Sequence, residues 1–236
     1  MPVYSFTVTF LLLSLIMLLR YFILVGAAYH FSRKFSDHRI ENTNAPKDHI
    51  QKDIFWSIIS TFIFALSGTL LIRMWQSGLI DVYLDFSKYG IIYLLISLPV
   101  LMFFHDMYFY WTHKLLHLKI LYKHVHLVHH KSRVPTAWTA FSFHPVEAII
   151  QALILPLLLY IFPVHLLVLI VFLTLMTILG IINHLGYEFY PAIFHKKPLS
   201  YLISATHHQA HHKNPHVNFG LYFNWWDLWM DTELEK

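Results

Sequence analysis

The chain has 236 residues, 57% of them hydrophobic and only 13% charged, with a mean hydropathy of +0.52. A soluble domain carries roughly 25% charged residues, so this composition excludes an ordinary soluble protein as well as a disordered one. The net charge of +4 comes without a basic run interleaved with aromatics, which argues against nucleic-acid binding, and with no cysteine any transition metal must be held by nitrogen or carboxylate.

In chain order, the apolar residues come in runs. Residues 3–31 carry a single charge, Arg20. That run is too long and uninterrupted for a cleaved signal peptide, so no removable targeting segment is expected. Residues 32–53 form a polar connector containing Asn42, Asn44 and Pro46. Residues 54–72 follow, 19 positions without a charge, bounded by Lys52-Asp53 and Arg73. A third run, 89–104, is broken by Pro99. Residues 148–183 are 36 uncharged positions, nearly two crossings at about 20 residues each, and Pro156 and Pro163 are the expected bends. The expected fold is all-α, a polytopic membrane protein with four to five transmembrane or hairpin helices. Residues 1–104 supply N-terminal transmembrane helices. Residues 105–236 hold a histidine-rich helical cap and a membrane hairpin at 148–183.

The chemistry lies between Phe104 and Asn218. His113-Lys-Leu-Leu-His117 is HxxxH, while His126-Leu-Val-His129-His130 and His208-Gln-Ala-His211-His212 are HxxHH. Positions i, i+3 and i+4 share a helix face, so each cluster is expected to converge on a single point. Imidazole suits iron, zinc, copper and nickel, and eight such rings are too many for one ion and about right for two. Other histidines sort by phase. His105 stands eight residues before His113, about 80° away on a helix, and His124 is out of phase with its neighbours; neither is expected in the site. His207 would give HxxxHH in place of His208, and spacing does not separate the two. His144, three before Glu147, either lines the site or caps a helix entering the membrane.

The two histidine-rich stretches, 105–147 and 184–217, must share one side of the membrane, and counting spans backward puts loop 32–53 there too. That side then holds every Lys and Arg, Lys236 included, except Arg20, Arg73 and Lys88, which is 14 of the 17. Positive charge favours the cytoplasm, so the cap is expected on the cytoplasmic side. Compact length and no C-terminal retrieval signal point to a bacterial inner membrane, or to the ER membrane in a eukaryote.

Taken in order, several segments resemble the fatty acid hydroxylase/sterol desaturase superfamily over residues 105–232. They are Phe109-Tyr-Trp-Thr-His-Lys-Leu-Leu-His117, Leu121-Tyr-Lys-His-Val-His-Leu-Val-His-His130, Phe143-His-Pro-Val-Glu-Ala148, His184-Leu-Gly-Tyr-Glu188, His207-His-Gln-Ala-His-His212, and Asn218-Phe-Gly with Trp226-Asp. The resemblance implies an O2-dependent membrane enzyme with two non-haem iron ions that hydroxylates or desaturates a lipid. Its implied ligands are His113, His117, His126, His129, His130, His184, His208, His211 and His212, and Asp106 falls at the family's acidic position. Lys114 and Met230-Asp231-Thr232 depart from the pattern, which bears on the subfamily. Glu188 stands where ceramide-hydroxylase relatives place a histidine, either as a carboxylate ligand or as an acceptor behind a metal-bound imidazole. Nothing resembles a haem-binding or iron–sulfur module, so a separate electron donor, a reductase with a cytochrome b5 or ferredoxin type carrier, is implied. Two rivals come from other classes. A histidine-rich membrane metal transporter would place ionisable groups inside its spans, and here little beyond Arg20 and His165 lies there. A zinc-dependent membrane hydrolase needs a carboxylate base and an open coordination position, and no HExxH motif is present.

Overall fold

The computed structural model describes residues 4–234; Val3 and Lys236 lie outside the described residues. Three long helices open the chain, α1 (Phe6–Ser32), α2 (Lys47–Gln76) and α3 (Gly90–Leu116). A helical segment then follows as α4 (Lys119–Leu121), a π turn (Tyr122–His126) and α5 (Leu127–His130). The apolar pair α6 (Pro145–Ile161) and α7 (Leu166–Asn183) comes next, and α8 (Ala205–Lys213) and α9 (Trp225–Trp229) complete the cap. Helices α1, α2, α3 and α7 are long and apolar enough to cross a membrane, and α6 is a shorter apolar helix. Leu11, Leu15, Ile16 and Ile23 on α1 are each more than half exposed, a face that suits lipid and would be a liability in water. The protein is an all-α polytopic membrane protein.

The expected hairpin forms, but with one bend instead of two. The chain breaks at Pro163, whereas Pro156 lies inside α6 and Pro99 inside α3. A proline deprives the carbonyl four residues earlier of its N–H donor, and in hydrocarbon that carbonyl needs another partner. For Pro156 the deprived carbonyl is Ala152, which accepts from Ser67 Oγ on α2 at 3.3 Å. The same face of α2 reaches the cap through Ser57 Oγ to Trp138 O (3.3 Å) and Ser60 Oγ to Phe143 O (3.2 Å). Small hydroxyls thus tie α2 to its neighbours without carrying charge into the membrane.

The two ends of the bundle differ. At one end, strand β1 (Val82–Tyr83) pairs in parallel with β2 (Val164–His165), which joins the α2–α3 loop to the α6–α7 turn. At the other end, the 33–46 connector packs on the segment after α7. His38 Nδ1 donates to Glu188 O (2.9 Å), Glu188 N donates to His38 O (2.7 Å), and Lys213 pairs with Glu41. Loop 32–53 and both histidine-rich stretches therefore share one side, with the 74–88 loop on the other, as the span count requires. Helix α3 runs unbroken past residue 104 and delivers His113 from the membrane into the cap.

Candidate metal centre

Nine imidazoles gather in two groups. His113, His117, His126, His130 and His211 form one, and His129, His184, His208 and His212 the other; within each group the ligand nitrogens lie within 4.8 Å of one another. All but His117 are buried. The grouping departs from the expectation that each HxxHH motif converges on one point. On a helix turning 100° per residue, position i+4 lies 40° on from i while i+3 lies 60° back, so the motif fans in two directions. His126 and His130 point into the first group and His129 into the second; His208 and His212 point into the second and His211 into the first. The π turn ends at His126, where Leu127 N bonds back to Tyr122 O, and such bulges recur at functional sites.

The rings are held by their outer nitrogens. His113 Nδ1 donates to Phe219 O (2.8 Å), His126 Nδ1 to Glu147 Oε1 (2.8 Å), and His129 Nδ1 to Ser142 O (3.3 Å). His184 Nδ1 donates to Gly180 O (2.8 Å) and His211 Nδ1 to Val217 O (2.6 Å). Carbonyls only accept, so in His113, His129, His184 and His211 Nδ1 carries the proton and Nε2 turns a bare lone pair inward. Burial, reinforced by neighbouring histidines, holds His126, His129, His130, His208, His211 and His212 well below the ordinary imidazole range, and burial lowers His184 to about 4. Neutral rings thus face one another Nε2 to Nε2: His113–His126 at 3.1 Å, His130–His211 at 3.1 Å, His129–His184 at 3.1 Å and His184–His208 at 2.8 Å. Lone pairs opposed at that range repel unless a cation lies between them. Two nitrogens each about 2.1 Å from a common ion lie about 3.0 Å apart at right angles and about 3.4 Å apart at the tetrahedral angle. The two groups therefore offer donor sets that fit two metal ions.

Supporting elements converge on the turn at 218–222. Asp227 accepts from Phe219 N (2.8 Å) and Gly220 N (2.9 Å), Asp106 Oδ1 accepts from Leu221 N (3.1 Å) and Tyr222 N (2.8 Å), and Asn183 Nδ2 donates to Leu221 O (2.8 Å). This turn carries Phe219 O, the anchor of His113. On the other flank, Asp53 of α2 accepts from Ser132 Oγ (2.9 Å) and Thr139 Oγ1 (2.8 Å), pinning the loop that carries Ser142 O, the anchor of His129.

The remaining sequence candidates lie outside both groups. Asp106 holds backbone and no imidazole. His144 caps α6, its Nδ1 accepting from Val146 N at 3.3 Å. Glu188 lies outside both groups and accepts from Tyr190 N (3.0 Å) and from Thr206 N (3.1 Å) and Oγ1 (2.7 Å), at the start of α8. His207 is buried with its Nδ1 against Ser204 Oγ at 3.2 Å, so His208 is the member of the pair that turns inward. His124 is exposed. His105, although off the ligand face, is buried, stacked on Tyr222, and lines an internal cavity. Sequence reasoning missed Glu147 as the carboxylate behind a ring; the available signal was an acid in the first turn of an otherwise apolar helix.

That cavity has a volume of ≈ 540 Å³ and an almost wholly apolar lining. Phe109 and Phe143 line it and stand 5.0 and 5.3 Å, ring centre to ring centre, from His113 and His129. Gly180, whose carbonyl anchors His184, lines it as well. The cavity therefore reaches residues packed against both histidine groups, although no ring of either group lines it.

A profile of the fatty acid hydroxylase family matches residues 98–232. A lathosterol oxidase of Rattus norvegicus is 30% identical over 210 residues, covering 88% of this chain and 68% of that protein. A Delta(7)-sterol 5(6)-desaturase of Gibberella zeae is 30% identical over 208 residues, 88% of this chain and 62% of that protein. A C-4 methylsterol oxidase of Schizosaccharomyces pombe is 31% identical over 142 residues, 58% of this chain and 47% of that protein. No solved structure matches the chain. The family profile spans the first and last of the histidine motifs together with the turn that braces them, and on that match the chain belongs to the fatty acid hydroxylase family.

Proposed function

We propose that this oxidoreductase uses O2 and two iron ions to hydroxylate or desaturate a lipid, with the histidine cap on the cytoplasmic side of its membrane. The observation that carries this reading is the apolar cavity of ≈ 540 Å³ whose lining residues Phe109, Phe143 and Gly180 pack against or anchor members of two groups of converging imidazoles. Its size falls in the ~300–1,000 Å³ range of small-molecule sites. The five-ring group exceeds the four ligands of a closed zinc site. Glu147, the buried acid nearest the rings, is engaged by His126 and is not free as a hydrolytic base. Both features weigh toward redox iron and against zinc hydrolysis.

In this reading the nine imidazoles hold the two ions, and the Nδ1 anchors fix the direction of five of them, His113, His126, His129, His184 and His211. Iron bound there supplies the oxidising chemistry that breaks an unactivated C–H bond. Phe109 and Phe143 exclude water from the junction between cavity and cap. Residues 1–104 anchor the chain and supply cavity walls from α1 and α2, and residues 105–236 form the catalytic region. Electrons come from a separate carrier docking on the basic cap. The relatives' names, with their sterol substrates, support a lipid of comparable bulk.

The test is iron analysis of the folded, fully loaded chain, combined with lipid mass spectrometry of cells with and without its gene. The expected result is close to two iron ions per chain and a lipid that has gained one oxygen or lost two hydrogens. Iron near zero or one, or an unchanged lipid profile, would overturn the reading.

A further inference from the structure

Arg20 is the one formally charged side chain among the described residues lining the cavity. On α1 it has about 21 Å of helix before it and about 18 Å after it, at 1.5 Å per residue. It therefore sits near the middle of α1, beside Phe141 of the 137–141 segment. No Asp or Glu lines the cavity, and none lines the small adjoining pocket that Arg20 shares with Tyr21, Thr61, Phe141, Thr177 and Ile181. Among the described residues no ion pair or hydrogen bond engages its guanidinium. A guanidinium stays protonated in proteins, and a charge against an apolar lining is costly unless it is paired. A residue kept only to pack helices would incur that cost without return.

We propose that Arg20 is the headgroup anchor of the cavity and that the lipid taken there carries a carboxylate. This rests on the reading that the cavity holds the lipid to be oxidised. A carboxylate matches the guanidinium fork with two parallel hydrogen bonds and neutralises its charge. A neutral hydroxyl, as on a sterol, accepts one N–H and leaves the charge uncompensated. His105 and Gln151, also in the lining, add hydrogen-bonding capacity but no formal charge of their own. The anchor stands well away from the imidazoles. Thr177, which shares its pocket, is about 10 Å along the helix axis from His184. The carbon presented to the metals therefore lies several bonds down the chain from the acid.

The experiment compares equilibrium binding of hexadecanoate and hexadecan-1-ol to the iron-loaded full chain in nonionic detergent, at a pH where the acid is ionised. A charge-assisted pair should favour the acid by about tenfold or more. Arg20→Met should abolish that preference while alcohol binding stays within about threefold. Arg20→Lys, which keeps the charge and loses the fork, should retain part of it. Equal binding of the two probes by the wild-type chain, or a preference that survives in Arg20→Met, overturns the proposal. The wild-type comparison decides it even where a variant does not fold. Because binding is read without turnover, a preserved preference with no oxidised product would sink the oxidation reading and leave the anchor standing.

Discussion

Glu147 and Glu188 are both carboxylates near the cap, yet they should fail in different ways. Glu147 stands behind His126, and removing such an acceptor typically costs 10–100-fold in metal affinity or activity. Glu147→Gln should therefore weaken iron binding by about that range, measured by competition with a chelator. Glu188 braces the start of α8, so Glu188→Gln should leave iron affinity within about threefold and lower stability by about 1 kcal/mol, read from thermal unfolding. The histidines separate in the same way. His129→Ala and His211→Ala, one from each group, should lose iron and lipid oxidation, while exposed His124→Ala keeps both; an empty His124→Ala with an active His129→Ala would refute the ligand assignment. At this scale the inward rings were legible because helix phase is written in residue spacing. Most of their anchors were not: Phe219 O lies 106 residues from His113, Ser142 O 13 from His129 and Glu147 21 from His126, and only Gly180 O, four residues before His184, is set by the local helical turn.

The spans and the hairpin could be read directly, because apolar runs report lipid exposure without any tertiary knowledge. The prolines could not: whether Pro156 bends a helix depends on whether Ser67, on another helix, can take the Ala152 carbonyl. The 218–222 turn was legible only as a motif, and its tightness comes from three elements closing on it. A Cβ on Gly220 would lie 2.5 Å from Phe223 O and 2.7 Å from Ile203 Cδ1. Gly220→Ala must therefore shift the turn and, with it, the carbonyl that orients His113. We expect a loss of about 1–3 kcal/mol from overpacking together with reduced iron content, checked by thermal unfolding and metal analysis on the same sample. Unchanged iron alongside lowered stability would uncouple the turn from the site.

Across the whole molecule, burying neutral imidazoles makes stability depend on pH. Unfolded, these rings titrate near about 6.5; folded, burial lowers His184 to about 4 and several others well below their ordinary range. The unfolded chain thus binds more protons between those values, so the stabilisation is complete above about pH 6.5 and is lost as pH falls toward about 4. Metal-free protein should show a Tm that drops steadily through that window, and a flat Tm would mean the rings are not buried in neutral form. Topology is testable with reporter tags: one in loop 32–53 and one at the C-terminus should both report cytoplasm, and one at Gly78 the opposite side. Disagreement between the first two would refute the in-and-out course of α6 and α7. The interleaving of the two HxxHH helices has a further consequence, for how the centre fills. Each helix lends rings to both groups, so under the proposed two-ion reading the ordering of α5 and α8 is shared between the sites, and metal titration is expected to show cooperative loading with little half-loaded protein.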